Sequence, residues 1–255
     1  MCICIPTKIV NMVFIGYPGD KEFIVADAGM PKSSENLLRA ARERFGEDSR
    51  ARSILLTHGH FDHVGSVIEL AEEWDCPIYA HPEEMPYVTG KKGYPTPDAT
   101  VEGGMVAKLS PTFPVDPIDL ESWVMAYPED GTVPHLPEFQ WIHVPGHTPG
   151  QVALFREKDR LLLSADAFVS TKQEKLYQVA TQQFEINGPP AYLTTDWEAA
   201  KESVIRLQQL KPEYAVTGHG PAARGEDLQT GLERLVERWE DEVVPDHGRF
   251  VEDEE

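Results

Sequence analysis

Short apolar runs alternate with amphipathic stretches along this chain, and the alternation predicts a mixed α/β fold. The predicted strands lie near residues 8–16, 22–27, 53–57, 77–81, 139–144, 151–156, 160–165 and 213–217. Helical spacing predicts helices near residues 33–45, 65–74, 172–180, 196–209 and 225–240, with Ser33 or Ser34 as the N-cap of the first. Strands in two groups, with helices between and after them, favour a four-layer αββα sandwich of two facing sheets with helices outside.

One long segment, residues 82–138, carries ten prolines and no convincing helical or strand period. Loops of this length inside a compact domain are usually lids, binding loops or insertions. We interpret the segment as a proline-rich lid. Its aromatic and apolar side chains then form either a substrate wall or a small core of their own: Tyr87, Tyr94, Phe113, Trp123, Met125 and Tyr127.

The densest polar cluster follows the strand predicted at 53–57. It contains His58, His60, Asp62 and His63, directly before the predicted helix at 65–74. Imidazole and carboxylate are ligands that suit zinc and its neighbours. An irregular turn between a strand and a helix can direct all four side chains to one point, so we predict a metal site on this loop.

Three further residues stand at the far ends of other predicted strands. His147 lies in a turn-rich loop after the strand at 139–144. Asp166 directly follows the apolar strand at 160–165, and His219 follows the strand at 213–217. Glycine or another small residue next to each lets the backbone come close to a ligand. Strand ends that deliver metal ligands indicate one shared site at one edge of a sheet. Asp27, after the second predicted strand, either orients a histidine ligand or is only a turn residue.

Together these motifs resemble the metallo-β-lactamase superfamily, in the style of its glyoxalase II and lactonase branch. The resemblance is carried by His58-x-His60-x-Asp62-His63, Gly146-His147-Thr148, Ser164-Ala165-Asp166 and Gly218-His219-Gly220, in that order. The opening stretches at 10–16 and 22–29 are similar to the paired strands that begin that fold. The match extends over nearly the whole chain and implies the αββα sandwich predicted above.

The resemblance also implies a ligand set for two divalent metal ions. His58, His60 and His147 would bind one ion, and Asp62, His63 and His219 the other, with Asp166 bridging the two. Zinc is the expected metal, with iron and manganese as alternatives. A metal-bridging hydroxide would attack an ester, lactone or thioester carbonyl. Asp62 would be the catalytic residue that passes a proton to the leaving group, a role that competes with its role as a ligand.

Other chemistries of the same fold stay open. A mononuclear iron persulfide dioxygenase would need only the first three ligands, and the intact set of Asp62, His63 and His219 speaks against it. β-Lactamase and phosphodiesterase activities are open to the same dinuclear hydroxide. Glyoxalase II relatives bind glutathione through basic residues of a longer C-terminal extension, whereas only 36 residues follow His219 here, ending in an acidic tail at 251–255.

Charge and composition limit the classes of molecule that this protein is expected to bind. The net charge is −20, with 43 acidic and 23 basic residues, which opposes binding to nucleic acid or to an anionic membrane surface. We therefore expect a small-molecule substrate. The three cysteines do not form a disulfide framework, and Cys2 and Cys4 are expected to be buried small apolar residues.

The N-terminus shows no signal peptide, because Lys8 interrupts its apolar stretch, and no run approaches the roughly 20 apolar residues of a membrane span. We expect a cytoplasmic enzyme, a metal-dependent hydrolase. We also expect one domain over residues 1–255, because the proposed ligands run from 58 to 219 and no polar linker divides them. The sequence leaves the oligomeric state open.

Overall fold

The computed structural model describes residues 1–7, 9–101 and 104–251. Lys8 and residues 252–255 of the predicted acidic tail lie outside the described residues. The chain divides into two compact units, one of Met1–Tyr94 with Val115–Gln140 and one of Pro95–Pro114 with Trp141–Glu255. The prediction of a single domain over 1–255 stays a prediction.

The first unit contains a six-stranded sheet with the strands in chain order from β1 to β6. These strands are β1 Cys2–Thr7, β2 Val10–Ile15, β3 Glu22–Ala26, β4 Arg50–Leu55, β5 Ile78–Ala80 and β6 Val124–Ala126. β1, β2 and β3 pair antiparallel, and β3 to β6 pair in parallel. The helices of this unit are α1 Ser34–Phe45, α2 Phe61–Val64, α3 Val67–Trp74 and α4 Met85–Val88.

Amphipathic helices pack their apolar faces against this sheet. α1 buries Leu37, Ala41 and Phe45, which recur at a spacing of four residues and so lie along one face of the helix. Phe45 stacks on Phe23 of β3 with ring centroids 4.2 Å apart, and Trp74 of α3 meets Phe23 edge-on at 5.3 Å. Aromatic pairs of this geometry add stabilisation beyond the burial of their area.

The second unit contains a five-stranded sheet in the order β11-β10-β9-β8-β7. These strands are β7 Gln140–His143, β8 Val152–Arg156, β9 Leu161–Ala165, β10 Tyr214–Thr217 and β11 Ala223–Arg224. Its helices are α5 Met105–Leu109, α6 Leu176–Thr181, α7 Trp197–Gln209 and α8 Gly225–Glu237, with a 3₁₀ turn at Ser110–Thr112 and a π-helical turn at Trp239–Val243.

Central strands and an amphipathic helix form the core of the second unit. Every residue of β8 and β9 is buried, which explains why both read as continuous apolar runs. α7 has Asp196 as its N-cap, and the Asp196 side chain accepts a capping hydrogen bond of 2.9 Å from the Ala199 amide. The helix then buries Ala200, Val204 and Leu207 against the core.

All eight predicted strands and all five predicted helices are present, with bounds shifted by a few residues. Residues 82–138, which show no convincing period in the sequence, contain the short elements α4, α5 and β6, and their interpretation as a lid stays a prediction. Elements of three to five residues are too short to show a period, which is why the pattern missed them. Ser33 is at the N-cap of α1, but its side chain makes no capping hydrogen bond. Among the described residues no helix is long and apolar enough to cross a membrane.

Candidate metal centre

Parallel pairing of β3 and β4 explains how the first polar cluster forms. The carboxyl ends of parallel neighbours meet at the same sheet edge, so Asp27 after β3 lies beside Thr57 after β4. The Thr57 amide donates to Asp27 Oδ1 at 2.8 Å, and the Thr57 hydroxyl donates to the same carboxylate. This network fixes the first residues of the loop that carries the predicted ligands.

Four of the predicted ligands are buried together in the first unit. The ring centroids of His58 and His60 are 4.8 Å apart, and those of His58 and His63 are 4.1 Å apart. Asp62 and His63 also offer ligand atoms within 4.8 Å of each other. The loop was predicted to be an irregular turn, but Phe61–Val64 forms one helical turn, α2, which directly follows His60.

In two of these histidines, Nδ1 lies within hydrogen-bonding distance of a side-chain oxygen atom. His63 Nδ1 lies 2.8 Å from Asp27 Oδ2, and His58 Nδ1 lies 3.1 Å from the Thr57 hydroxyl. Asp27 has a positive φ of 60° as well as this contact. The contact agrees with the interpretation of Asp27 as the residue that orients a histidine, whereas residues 27–29 form no turn.

The other three predicted ligands meet in the second unit. Because β9 and β10 pair in parallel, Asp166 after β9 and His219 after β10 emerge at one edge of the sheet. His219 Nε2 lies 3.2 Å from Asp166 Oδ2, and His147 Nε2 lies 3.5 Å from the same oxygen. All three side chains are buried.

Sequence reasoning missed several polar residues that support this second cluster. Thr194 places its hydroxyl 3.2 Å from His147 Nδ1, although 47 positions separate the two residues. The Gln151 side chain accepts from the Asp166 amide at 3.2 Å and donates to the Val144 carbonyl at 3.2 Å. Single threonine and glutamine residues without a surrounding motif cannot be recognised from one sequence.

The buried carboxylate of Glu84 and the half-buried side chain of Tyr94 adjoin the first cluster, and sequence reasoning also missed both in these roles. The Gly59 amide donates to Glu84 Oε2 at 3.1 Å and to the Tyr94 hydroxyl at 3.0 Å. The Tyr94 hydroxyl in turn donates to Glu84. Burial, followed by the charge of Glu84 and this hydrogen bond, raises the pKa of Tyr94 well above its ordinary value, so the phenol stays neutral.

The donor sets of both units fit divalent metal ions. They consist of imidazole nitrogens and carboxylate oxygens, the ligands that zinc and iron accept. A buried carboxylate such as Asp166 needs a positive partner, and a cation supplies one. In His58, His63 and His147 an oxygen atom engages Nδ1, the arrangement that fixes the ring orientation of a metal-binding histidine. Each unit gathers its own set, and the joint site that takes ligands from both stays a prediction.

The remaining histidines and the proposed wall residues are distributed differently. His81 is buried, His143 is half-buried, and His135 and His247 are exposed, in line with structural or surface roles. Tyr127 is buried and donates to the Leu56 carbonyl at 3.3 Å. Trp123 packs against the first core and Phe113 against the second, so these aromatics contribute to packing as the alternative interpretation expects.

None of the three cysteines forms a disulfide. Cys76 is buried, but Cys2 and Cys4 on β1 are only half-buried, so the expectation that both are fully buried is wrong. β1 is an edge strand of its sheet, and an edge strand is covered less completely than a central one.

Comparison with known proteins agrees with the fold. The family model described as the metallo-beta-lactamase superfamily matches residues 5–219. The chain is 47% identical over 232 residues to the probable metallo-hydrolase YflN of Bacillus subtilis, covering 91% of this chain and 88% of that protein. It is 28% identical over 164 residues to the hydroxyacylglutathione hydrolase of Bdellovibrio bacteriovorus, covering 64% of this chain and 47% of that protein.

A solved structure, that of TTHA1623 in a di-iron-bound form, has a TM-score of 0.56 and 26% sequence identity and covers 88% of this chain and 94% of that one. The protein therefore belongs to the metallo-β-lactamase superfamily, and the αββα sandwich predicted from its sequence is confirmed as the fold of that family. Its relatives include a probable metallo-hydrolase and a hydroxyacylglutathione hydrolase, which support its classification as a metallo-hydrolase.

Proposed function

We propose that this protein is a dinuclear metal-dependent hydrolase that cleaves a small ester, lactone or thioester. The proposal rests on one observation: the buried side chains of His147 and His219 both direct Nε2 toward the buried carboxylate of Asp166. One carboxylate oxygen between two imidazoles suits a bridging ligand. His58, His60, Asp62 and His63, which lie together in the first unit, are the other four members of the predicted ligand set.

Each ligand has a separate task in this proposal. His58, His60 and His147 would hold one ion, Asp62, His63 and His219 would hold the other, and Asp166 would serve both. When bound, two such ions lower the pKa of water toward neutrality and polarise an acyl carbonyl. In its competing role as a proton shuttle instead of a ligand, Asp62 would pass to the leaving group the proton that water loses on ionisation. Asp27 and Thr57 keep the rings of His63 and His58 in place through their Nδ1 atoms.

The chemistry of the substrate follows from charge and from the relatives. A chain with a net charge of −20 repels polyanions, so a neutral or singly charged acyl compound is favoured over a phosphodiester. One relative is named as a hydrolase of hydroxyacylglutathione, which is a thioester. Ester, lactone and thioester carbonyls share one tetrahedral transition state, in which negative charge develops on oxygen and is stabilised electrostatically.

The test is a screen of esters, lactones, thioesters, β-lactams and phosphodiesters, with and without a chelator and with and without oxygen. We expect hydrolysis of an acyl substrate that a chelator abolishes and Zn²⁺, Fe²⁺ or Mn²⁺ restores. His60→Ala and Asp166→Asn should lower kcat/KM by more than the about 10–100-fold seen when residues that only orient ligands are changed. His247→Ala, at an exposed histidine, is the matched control.

Two results would contradict the proposal. Activity that survives both the chelator and the ligand variants would exclude metal-dependent hydrolysis. A strict requirement for oxygen would instead identify the protein as a dioxygenase of the same fold.

A further inference from the structure

Gly59, which lies between the ligands His58 and His60, is held by two side chains of the segment that follows β5. Its amide donates to Glu84 Oε2 at 3.1 Å and to the Tyr94 hydroxyl at 3.0 Å, and that hydroxyl donates to Glu84. The three groups form a closed triangle of hydrogen bonds, which we name the Gly59 clamp. All of its members belong to the first unit.

The clamp leaves no room for a side chain at position 59. A Cβ added to Gly59 would lie 2.6 Å from the Tyr94 hydroxyl oxygen and 2.9 Å from Val88 Cγ1. Close approach of the clamp to the backbone therefore explains the glycine at this position.

Tyr94 also contacts one of the ligand side chains. Its ring lies 4.5 Å from the His60 ring, centroid to centroid, at 56°. On its other side Tyr87 stacks on it at 4.1 Å, nearly parallel. Tyr94 thus holds the chain at two points, the backbone amide between the two histidines and the imidazole of His60.

We propose that Glu84 and Tyr94 are positioning residues that fix the His58–Gly59–His60 segment in the geometry that metal binding requires. The inference rests on the proposed function, because it takes His58 and His60 as ligands. The backbone between two adjacent ligands sets the distance and direction of both, so loosening it should weaken metal binding even where the fold is kept.

The first test compares Tyr94→Phe with Tyr87→Phe. Both changes remove one hydroxyl from the same aromatic stack, but only that of Tyr94 binds Gly59. The affinity of each protein for Zn²⁺ is measured by competition with a chromophoric chelator, and the visible absorption of the Co²⁺ form reports ligand geometry. We expect about 10–100-fold weaker metal binding and an altered Co²⁺ spectrum in Tyr94→Phe, with both properties retained in Tyr87→Phe.

A second test uses the contact between Gly59 and the hydroxyl. Gly59→Ala should weaken metal binding strongly in the natural protein, because the new methyl group meets the Tyr94 oxygen. In a Tyr94→Phe background that oxygen is gone, so the same change should weaken binding less. The two effects are therefore expected to be non-additive. Glu84→Gln keeps an acceptor oxygen for the Gly59 amide. Its metal affinity should therefore be closer to that of the natural protein than the affinity of Glu84→Ala.

The outcomes separate this inference from the proposed function. If the natural protein binds metal and Tyr94→Phe matches Tyr87→Phe in affinity and spectrum, the clamp has no positioning role, while the hydrolase proposal stands. Additive effects of Gly59→Ala and Tyr94→Phe would also overturn it. If the natural protein binds no Zn²⁺ or Co²⁺, the proposed function fails and the inference fails with it. Thermal unfolding of the metal-free variants shows whether weaker binding arises from a damaged fold.

Discussion

At the scale of single residues, Asp27 illustrates what one sequence can and cannot settle. A carboxylate at the end of a strand is equally compatible with a turn and with a contact to a ligand. The structure shows the contact, a distance of 2.8 Å to His63 Nδ1, and a positive φ of 60° instead of a turn. The candidate ligands were predictable because histidine and aspartate at such density are rare. Thr194 and Glu84 act through neighbours far along the chain, so no local pattern marks them.

The contact between Asp27 and His63 leads to a prediction about metal affinity. Asp27→Asn keeps a residue that tolerates positive φ, but it removes the carboxylate charge that orients the imidazole. We expect about 10–100-fold weaker Zn²⁺ binding in a chelator competition. Asp75→Asn is the control, since Asp75 also has positive φ, at the C-cap of α3, and is exposed. Equal affinity of Asp27→Asn and Asp75→Asn would show that the contact does not contribute.

At the scale of elements, α7 anchors the loop that carries His147. The Gly146 carbonyl accepts from the amides of Thr195 and Asp196 at 3.1 Å each, and the Ser203 hydroxyl donates to the Pro145 carbonyl at 2.7 Å. The helix was predictable from its 3.6-residue period. Its contact with the loop that carries His147 was not predictable, because periodicity shows which face of a helix is buried but not which segment covers that face.

This anchoring makes Gly146 sensitive to substitution. A Cβ there would lie 2.3 Å from the Ala200 amide nitrogen, and φ is 128°. Gly146→Ala should therefore lower the free energy of unfolding by about 2–5 kcal/mol, from backbone strain plus overpacking. Gly46→Ala is the control: φ is 106° and no atom lies within 4 Å, so only the strain of about 1–3 kcal/mol applies. Equal losses for both in urea denaturation would contradict this account of α7.

At the scale of the whole molecule, fold class was predictable because strands and helices of ordinary length leave clear periods in the sequence. The short elements α4, α5 and β6 within 82–138 leave no such period, so none of the three was predicted. β6 is only three residues long and pairs with β5, so the sheet rather than its own sequence pattern defines it. The overall charge of −20 was known from composition alone.

That charge predicts a response to salt. Repulsion among excess acidic groups opposes compaction, and salt screens it. Raising NaCl from about 20 mM to about 0.5 M shortens the Debye length to a few ångströms and should raise the melting temperature. A stabilisation of about 1 kcal/mol corresponds to about 2–4 °C for a chain of this size. A melting temperature that falls between these conditions would show that attractive ion pairs outweigh the repulsion.

The account depends above all on a pair of metal ions, and their number per chain tests it most directly. The measurement is elemental analysis of purified protein that has been stripped with chelator, reloaded with Zn²⁺ and freed of excess metal. We predict two ions per chain in the natural protein and fewer in Asp166→Asn, because that variant loses the bridging carboxylate. A natural protein that retains no metal after reloading, while its fold is intact, would contradict the account.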